Sequence, residues 1–438
     1  MAISVPTGSG SAPDNDNVTP PRGYAGALTV LTTVFFMWGF ATVLNDILVP
    51  HLKAVFQLNY GQSLLIQFAF YLGYLLMAIP SAKLLERIGY KTSLVVGLVG
   101  MAGSALVFLP AARLESYAVF LVALFLLASS ITLLQVAANP YVAVIGPAQT
   151  ASSRLNLVQA FNSAGTTLAP LFGGMLILGR SASGNLAEDT VLTAQQRAAD
   201  VQAVQLPYVL IAGVLIALAL LVWRVRLPDL GQESRRAAQA ERAKHSLWRH
   251  RNLVLGVPAI CLYLLCEIGI GSTLVNFISL PTIGDMSHAA AARYLSLFWG
   301  GAMVGRFAGA LLLRWILPER LLAAVSLGAL VLVLLAITSG GSLAMWSMIA
   351  IGLCHSVMFP TIFTLGIRGL GPLTEEGSGL LIMAIAGGAF SALQGVLADR
   401  IGLQLSYLLP AACYVYVLGY ALWGCRSTEA LAAERLGA

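Results

Sequence analysis

The chain has 438 residues, of which 58% are hydrophobic and only 10% charged, against about 25% charged in ordinary soluble domains, and its mean hydropathy is +0.82. That composition excludes a soluble enzyme, and the net charge of +6 does not mark a nucleic-acid-binding protein, because it sits in loops between apolar runs. The runs exceed the ~18 residues that cross about 30 Å of hydrocarbon as a helix, so the fold class is an all-α, multi-pass membrane protein within the lipid bilayer.

Residues 1–24 are rich in Gly, Ser, Pro, Asp and Asn and lack the basic start and apolar core of a cleavable signal. They read as a disordered tail. The first six-helix bundle follows over 25–225, with spans at about 25–50, 60–83, 91–110, 117–145, 153–179 and 205–225. Span one holds Asn45 and Asp46 in "WGFATVLNDILVP". An aspartate deep in a membrane costs roughly 2.5–3.5 kcal/mol on insertion scales, so Asp46 needs a compensating role. Between spans two and three, "ERIGYK" offers a turn at Gly89, with Glu86, Arg87 and Lys91 placed to latch neighbouring helix ends. Arg314, in the corresponding loop after span eight, belongs to the same expectation.

Span four, "LLQVAANPYVAVIGP", puts Gln135 and Asn139 four residues apart on one helical face. Pro140 has no N–H for the carbonyl of Val136, which frees an acceptor beside that pair. Span five, "RLNLVQAFNSAGTT", sets Asn156, Gln159 and Asn162 three apart, with Ser163 and Thr166 near the same face. Amides both donate and accept, which suits a polyhydroxylated ligand. Interhelical hydrogen bonding is the alternative use of the same residues.

Residues 226–252 form the longest connection and read as a solvated basic linker, with a short amphipathic helix as the alternative. The second bundle covers 253–425, with spans at about 253–281, 290–314, 320–338, 341–368, 375–398 and 404–425, followed by a tail over 426–438. Span seven carries Glu267 near its centre, with Gly269 and Gly271 leaving room and Asn276 further out. Such a carboxylate takes a proton, holds a cation, or pairs statically with an intramembrane Arg. Arg306 in span eight is the one Arg inside a span, close enough to its inner end to snorkel. His355 in span ten is open between a path-lining and a packing role. The five cysteines all lie in apolar segments and read as buried small hydrophobes.

Of 25 Lys and Arg, 18 fall on the side of the amino terminus and six on the other, with Arg306 within a span. The positive-inside rule then places both termini in the cytoplasm. The halves echo each other: "NDILVP" and "NFISLP", "LLERIGYK" and "LLRWILPER", and "NPYV" and "FPTI" recur in the same order about 220 to 231 residues apart. This is the pattern of two parallel six-helix repeats, with a site at the midplane and with "NPYV" and "FPTI" breaking their helices. No Walker A sequence, His-Glu-x-x-His, GxSxG elbow or Cys/His metal cluster occurs, so neither an enzyme nor a cofactor is expected.

The blocks "FFMWGFATVLNDILVPHL", "AANPYVAVIGP", "SRLNLVQAFNSAG" and "FPTIFTLGIRGLG" resemble the sugar-transporter branch of the major facilitator superfamily, over roughly residues 28 to 425. The resemblance implies a twelve-helix, alternating-access cation symporter of a small-molecule sugar, a hexose, in a bacterial inner membrane; a monomer without nucleic acid is expected. Glucose or galactose comes first, with N-acetylglucosamine or fucose behind. Efflux of apolar drugs and sugar sensing without transport are the rival readings. Asp46 matches the aspartate tied to sugar binding and coupling, and Asn139, Gln159 and Asn162 match cavity positions of the family. Gln135 stands where the fucose carrier has a glutamate, and Glu267 where it has an amide. The coupling ion is Na+ or H+, and the absent glutamate favours Na+, held at Asp46 or Glu267.

Overall fold

The computed structural model describes residues 24–56, 60–114, 116–173, 194–228 and 246–426. The expected amino-terminal tail, most of the linker and the carboxyl tail from 427 lie outside these, as do the side chains at 44–56, 60–65, 67, 112, 170–173, 194–206 and 289. Long apolar runs in hydrocarbon must satisfy their own backbone, which leaves the helix as the available spanning form here. No strand occurs among the described residues.

Helix α1 is Tyr24–Phe56. The stretch Tyr60–Arg113 bends at Gly89 (φ 80°, ψ 169°), a conformation reserved for glycine, and divides into α2 (60–88) and α3 (90–113). Then come α4 (Tyr117–Val144), α5 (Ala151–Gly173) and α6 (Ala194–Arg224). The second half holds α7 (Arg251–Ile278), α8 (His288–Leu312) and α9 (Pro318–Thr338). Helix α10 has two parts, Gly341–His355 and Met358–Ile367. Helix α11 runs from Thr374–Met383 through a 3-10 stretch, Ala384–Ser391, to Ala392–Ile401. Helix α12 comprises Leu403–Ser406 and Leu408–Gly419, closed by a π turn at Tyr420–Gly424.

These are the twelve crossings read from the sequence. Ten stretches of the described residues are long and apolar enough to span by composition. One of them, Phe68–Ala111, contains two crossings, whereas α5 is missing from the ten because its amides and serines dilute it. Some details differ from expectation. Helix α6 begins eleven residues earlier than about 205, and α11 loosens to 3-10 geometry through "AIAGGAFS", whose small residues give a helix little side-chain packing to hold it.

Of the two expected helix breaks, at Pro140 and at Pro360, only the second is present. Helix α4 continues through Pro140 without interruption, and the carbonyl of Val136 that Pro140 leaves free accepts from Ser378 Oγ at 3.1 Å. In α10 the helix does break, at Ser356–Val357, one turn before Pro360. The freed carbonyl there, Ser356 O, accepts from Arg306 Nε at 3.3 Å. A proline removes one donor, and the fold supplies another from a neighbouring helix.

Each half packs its first helix on its fifth. A Cβ on Gly165 of α5 would overlap the carbonyl of Phe36 in α1, and one on Gly387 of α11 would overlap the carbonyl of Cys261 in α7. Gly387 follows Gly165 by 222 residues and Cys261 follows Phe36 by 225, so the sequence echo corresponds to a repeated helix contact. Gly387→Ala is expected to destabilise the protein by about 1–3 kcal/mol, since the obstacle is backbone that cannot rotate away. A thermal melt in detergent matching wild type would contradict this packing.

The helix ends on the side of the termini are tied by side chains from the other helices. Arg154 donates to the carbonyls of Val142 (3.1 Å), Ala143 (2.7 Å) and Pro147 (2.8 Å) at the end of α4. Asn252 likewise serves Leu365 (2.9 Å), Gly366 (3.1 Å) and Arg368 (2.8 Å) at the end of α10. Those orphan carbonyls would otherwise face the bundle unpaired.

Candidate functional site

The amides of α4 and α5 join into one patch of the first bundle. Gln159 Nε2 points to Asn139 Oδ1 at 3.4 Å, linking the two helices. Gln135 Nε2 donates to Tyr74 Oη of α2 at 2.7 Å, and Asn162 Nδ2 donates to the carbonyl of Phe35 in α1 at 2.8 Å. Gln135, Asn139 and Gln159 are buried and Asn162 is half-buried. Asn139 is fully buried, yet its Nδ2 has no hydrogen-bond partner among the described residues. A buried amide with both donors unspent is costly, by about 1–3 kcal/mol, unless something else accepts from it.

Asn156 departs from this patch. Its Nδ2 returns to its own helix at Ser152 O (2.9 Å), and its Oδ1 lies toward Gly309 of α8. Asn276 is exposed near the end of α7, nine residues or about 13 Å of helix beyond Glu267, apart from the amides. Helix α1 carries Asn45 and Asp46, but their side chains lie outside the described residues.

Across from the amides, the second bundle presents a charged pair. Glu267 of α7, 8% exposed, lies 3.6 Å from the guanidinium of Arg306 on α8. Arg306 therefore does not snorkel. It also donates to Ser163 Oγ of α5, across the line between the bundles, and to Ser356 O of α10. Beside it, Phe161 of α5 and Phe307 of α8 meet edge to face at 5.6 Å. The pairing is the static alternative of the sequence reading, but its third partner belongs to the other bundle. Any motion that parts α5 from α8 must break it.

On the side of the termini the bundles are sealed by small residues. Ser152 and Thr364 share a hydrogen bond of 2.6 Å, Ser153 donates to Ala310 O at 2.5 Å, and Ser378 reaches Val136 O. Gly379 of α11 packs on Ala82 and on the carbonyl of Ala78 in α2. The two seals, α5 on α8 and α10, and α11 on α2 and α4, are related by the repeat.

Glu86 sits one turn past Ala82, toward the first turn of α11. Arg87 and Arg314 are exposed and in no ion pair among the described residues, and Lys91 is half-buried. An ion pair on this side joins Arg368, at the end of α10, to Glu319 of α9 at 3.6 Å. His355 is boxed by Tyr263, Phe298 and Tyr414, with Nε2 and Tyr414 Oη 2.6 Å apart, which favours the packing role. Among the described residues no cluster of His, Cys, Asp or Glu could hold a metal, and the five cysteines are free thiols. Sequence reasoning missed Tyr74 altogether, because a tyrosine in an apolar span gives no signal until its partner is known.

The profile of the Major Facilitator Superfamily matches residues 29–393. The chain is 47% identical over 428 residues to a protein of Brucella abortus biovar 1 (strain 9-941) named glucose/galactose transporter, covering 98% of this chain and 100% of that one. It is 34% identical over 432 residues to the L-fucose-proton symporter of Escherichia coli (strain K12), covering 95% and 97%. Among solved structures, the superfamily transporter FucP in its outward conformation superposes with a TM-score of 0.82 at 33% identity, over 92% of this chain and 99% of that one.

Proposed function

The chain belongs to the Major Facilitator Superfamily, and within it we propose that it carries a hexose, glucose or galactose, into the bacterial cell by alternating access coupled to a proton. It sits in the inner membrane with both termini in the cytoplasm, where the positive-inside count places them. The observation that carries the sugar reading is Asn139, whose buried donors lack an acceptor among the described residues and lie beside Gln159. A sugar hydroxyl accepts from such a donor and gives its own proton to a neighbouring amide oxygen. The relative named for glucose and galactose, aligned end to end, supports the choice of hexose.

The sealed side is the cytoplasmic one, and the likeness to a structure in the outward conformation supports a site that opens outward first. Arg306 changes the choice of ion from Na+ to H+. A sodium ion at Glu267 would lie beside a fixed guanidinium 3.6 Å from the carboxylate and be repelled by it. A proton adds no cation to the pair and removes the charge that holds Arg306. The likeness to an L-fucose-proton symporter points the same way. In this reading, protonation of Glu267 loosens Arg306 from α7 and with it the bridge to Ser163 of α5.

Counterflow in proteoliposomes with a panel of hexoses, with and without sodium, tests both parts. Glucose and galactose should exchange fastest and sodium should make no difference. Exchange of neither sugar would remove the assignment. Asn139→Ala and Asn162→Ala should each weaken apparent affinity by the equivalent of about 1–3 kcal/mol, roughly five- to 150-fold, with expression unchanged. Wild-type affinity in both variants would remove the amide patch from the binding site.

A further inference from the structure

A second cavity lies outside the amide patch, on the bilayer-facing side of the first bundle. It is a groove of about 480 Å³ between α2, α3 and α4, within the usual size of small-molecule sites. Its apolar walls include Met77, Val96, Leu126 and Leu133, and Val96 and Leu126 are each 41% exposed at its lip. Two of the hydroxyls along it are spent on their own helix: Ser129 donates to Phe125 O (2.6 Å) and Ser130 to Leu126 O (2.8 Å). The groove therefore offers a hydrocarbon chain an apolar bed with no unpaired polar atom from these two serines.

One end is different. Lys83 and Arg87, a single turn apart on α2, line the groove where α2 reaches the side of the termini. Both are exposed, and neither forms an ion pair among the described residues. Met77 and Arg87 are ten residues apart, about 15 Å along the helix and half the thickness of the hydrocarbon core. Two cations at the membrane surface above a leaflet-deep apolar groove match one ligand shape, a phosphate-bearing headgroup with an acyl chain beneath it.

We propose that this groove is a binding site for an anionic phospholipid of the cytoplasmic leaflet, with its phosphate on Lys83 and Arg87 and an acyl chain along Met77, Leu126 and Leu133. Basic pockets between spans on the cytoplasmic side bind anionic lipid headgroups by the same physics. The site touches the transport cycle through α2, whose Ala78 and Ala82 pack against Gly379 of α11 in the seal between the bundles. A lipid seated on α2 thus braces one of the helices that must move to open the cytoplasmic side.

Native mass spectrometry of the detergent-purified chain, titrated with phosphatidylglycerol or phosphatidylcholine of equal chain length, tests the site. Wild type should retain one phosphatidylglycerol preferentially, and Lys83→Gln/Arg87→Gln should lose that preference at least about tenfold. Leu126→Trp, which fills the apolar groove and keeps both charges, should also lose it. Excess glycerol phosphate, a headgroup without chains, should leave the bound lipid in place. Equal retention of the two lipids by wild type, an unchanged preference in either variant, or displacement by glycerol phosphate would each overturn the proposal.

Discussion

Arg306→Ala is expected to abolish accumulation of sugar against a gradient and to lower stability by about 3–5 kcal/mol, the usual effect of removing one partner from a buried ion pair. The side chains of Arg306 and Glu267 are only 16% and 11% exposed, so water does little to replace the lost charge. The truncation leaves Glu267 buried without its counter-ion and withdraws the donor from Ser356 O, which the helix break before Pro360 cannot supply from its own backbone. It also removes the bridge to Ser163 on the opposite bundle. Glu267→Gln/Arg306→Gln separates these effects. With no unpaired charge, its melting temperature should return close to wild type, while accumulation stays lost and sugar exchange persists. Wild-type accumulation by Arg306→Ala would remove the pair from coupling. If Glu267→Gln alone keeps the full response to an imposed pH gradient, Glu267 has only a packing role.

Asp46→Asn should likewise eliminate concentrative uptake while leaving counterflow measurable. The substitution preserves shape and most hydrogen-bonding capacity but removes a charge that insertion scales rate at roughly 2.5–3.5 kcal/mol in mid-membrane. A protein bears that cost where the group must change protonation as the site changes sides. Loss of accumulation with retained exchange is therefore the signature to look for, read by radiolabelled sugar in proteoliposomes under an inward proton gradient. Loss of both would make Asp46 a binding residue alone. Retention of both would exclude it from the cycle.

The amino-acid sequence by itself determined the solvent, the number of crossings and the twofold repeat. Each follows from local information: an apolar run of sufficient length must be a helix in hydrocarbon, and a recurring motif order survives any arrangement of the helices. It also marked Gln135, Asn139, Gln159 and Asn162, because spacings of three and four put amides on common faces; of these, Gln159 and Asn139 meet across α4 and α5, while Gln135 turns to Tyr74 and Asn162 to the carbonyl of Phe35. The same spacing included Asn156, which turns instead to its own helix and to α8, since a helical face says nothing of which neighbour it meets.

What only the tertiary structure decided lies between helices far apart in the chain. Whether Arg306 snorkels or pairs depended on α7 and α5 flanking α8, and that pairing is what supports a proton in place of sodium in the proposed cycle. Whether a proline breaks its helix was decided in the same way: the carbonyl freed by Pro140 is met by Ser378 in a helix that stays intact, and the one freed by Pro360 by Arg306 in a helix that does not. Arg314 is exposed while Arg368 and Glu319 pair at 3.6 Å, because charges at helix ends choose partners by packing and not by their order in a motif. Sequence spacing fixes which side chains share a face of one helix, whereas a carboxylate, a guanidinium or an orphaned carbonyl is settled by whichever helix stands within about 4 Å of it.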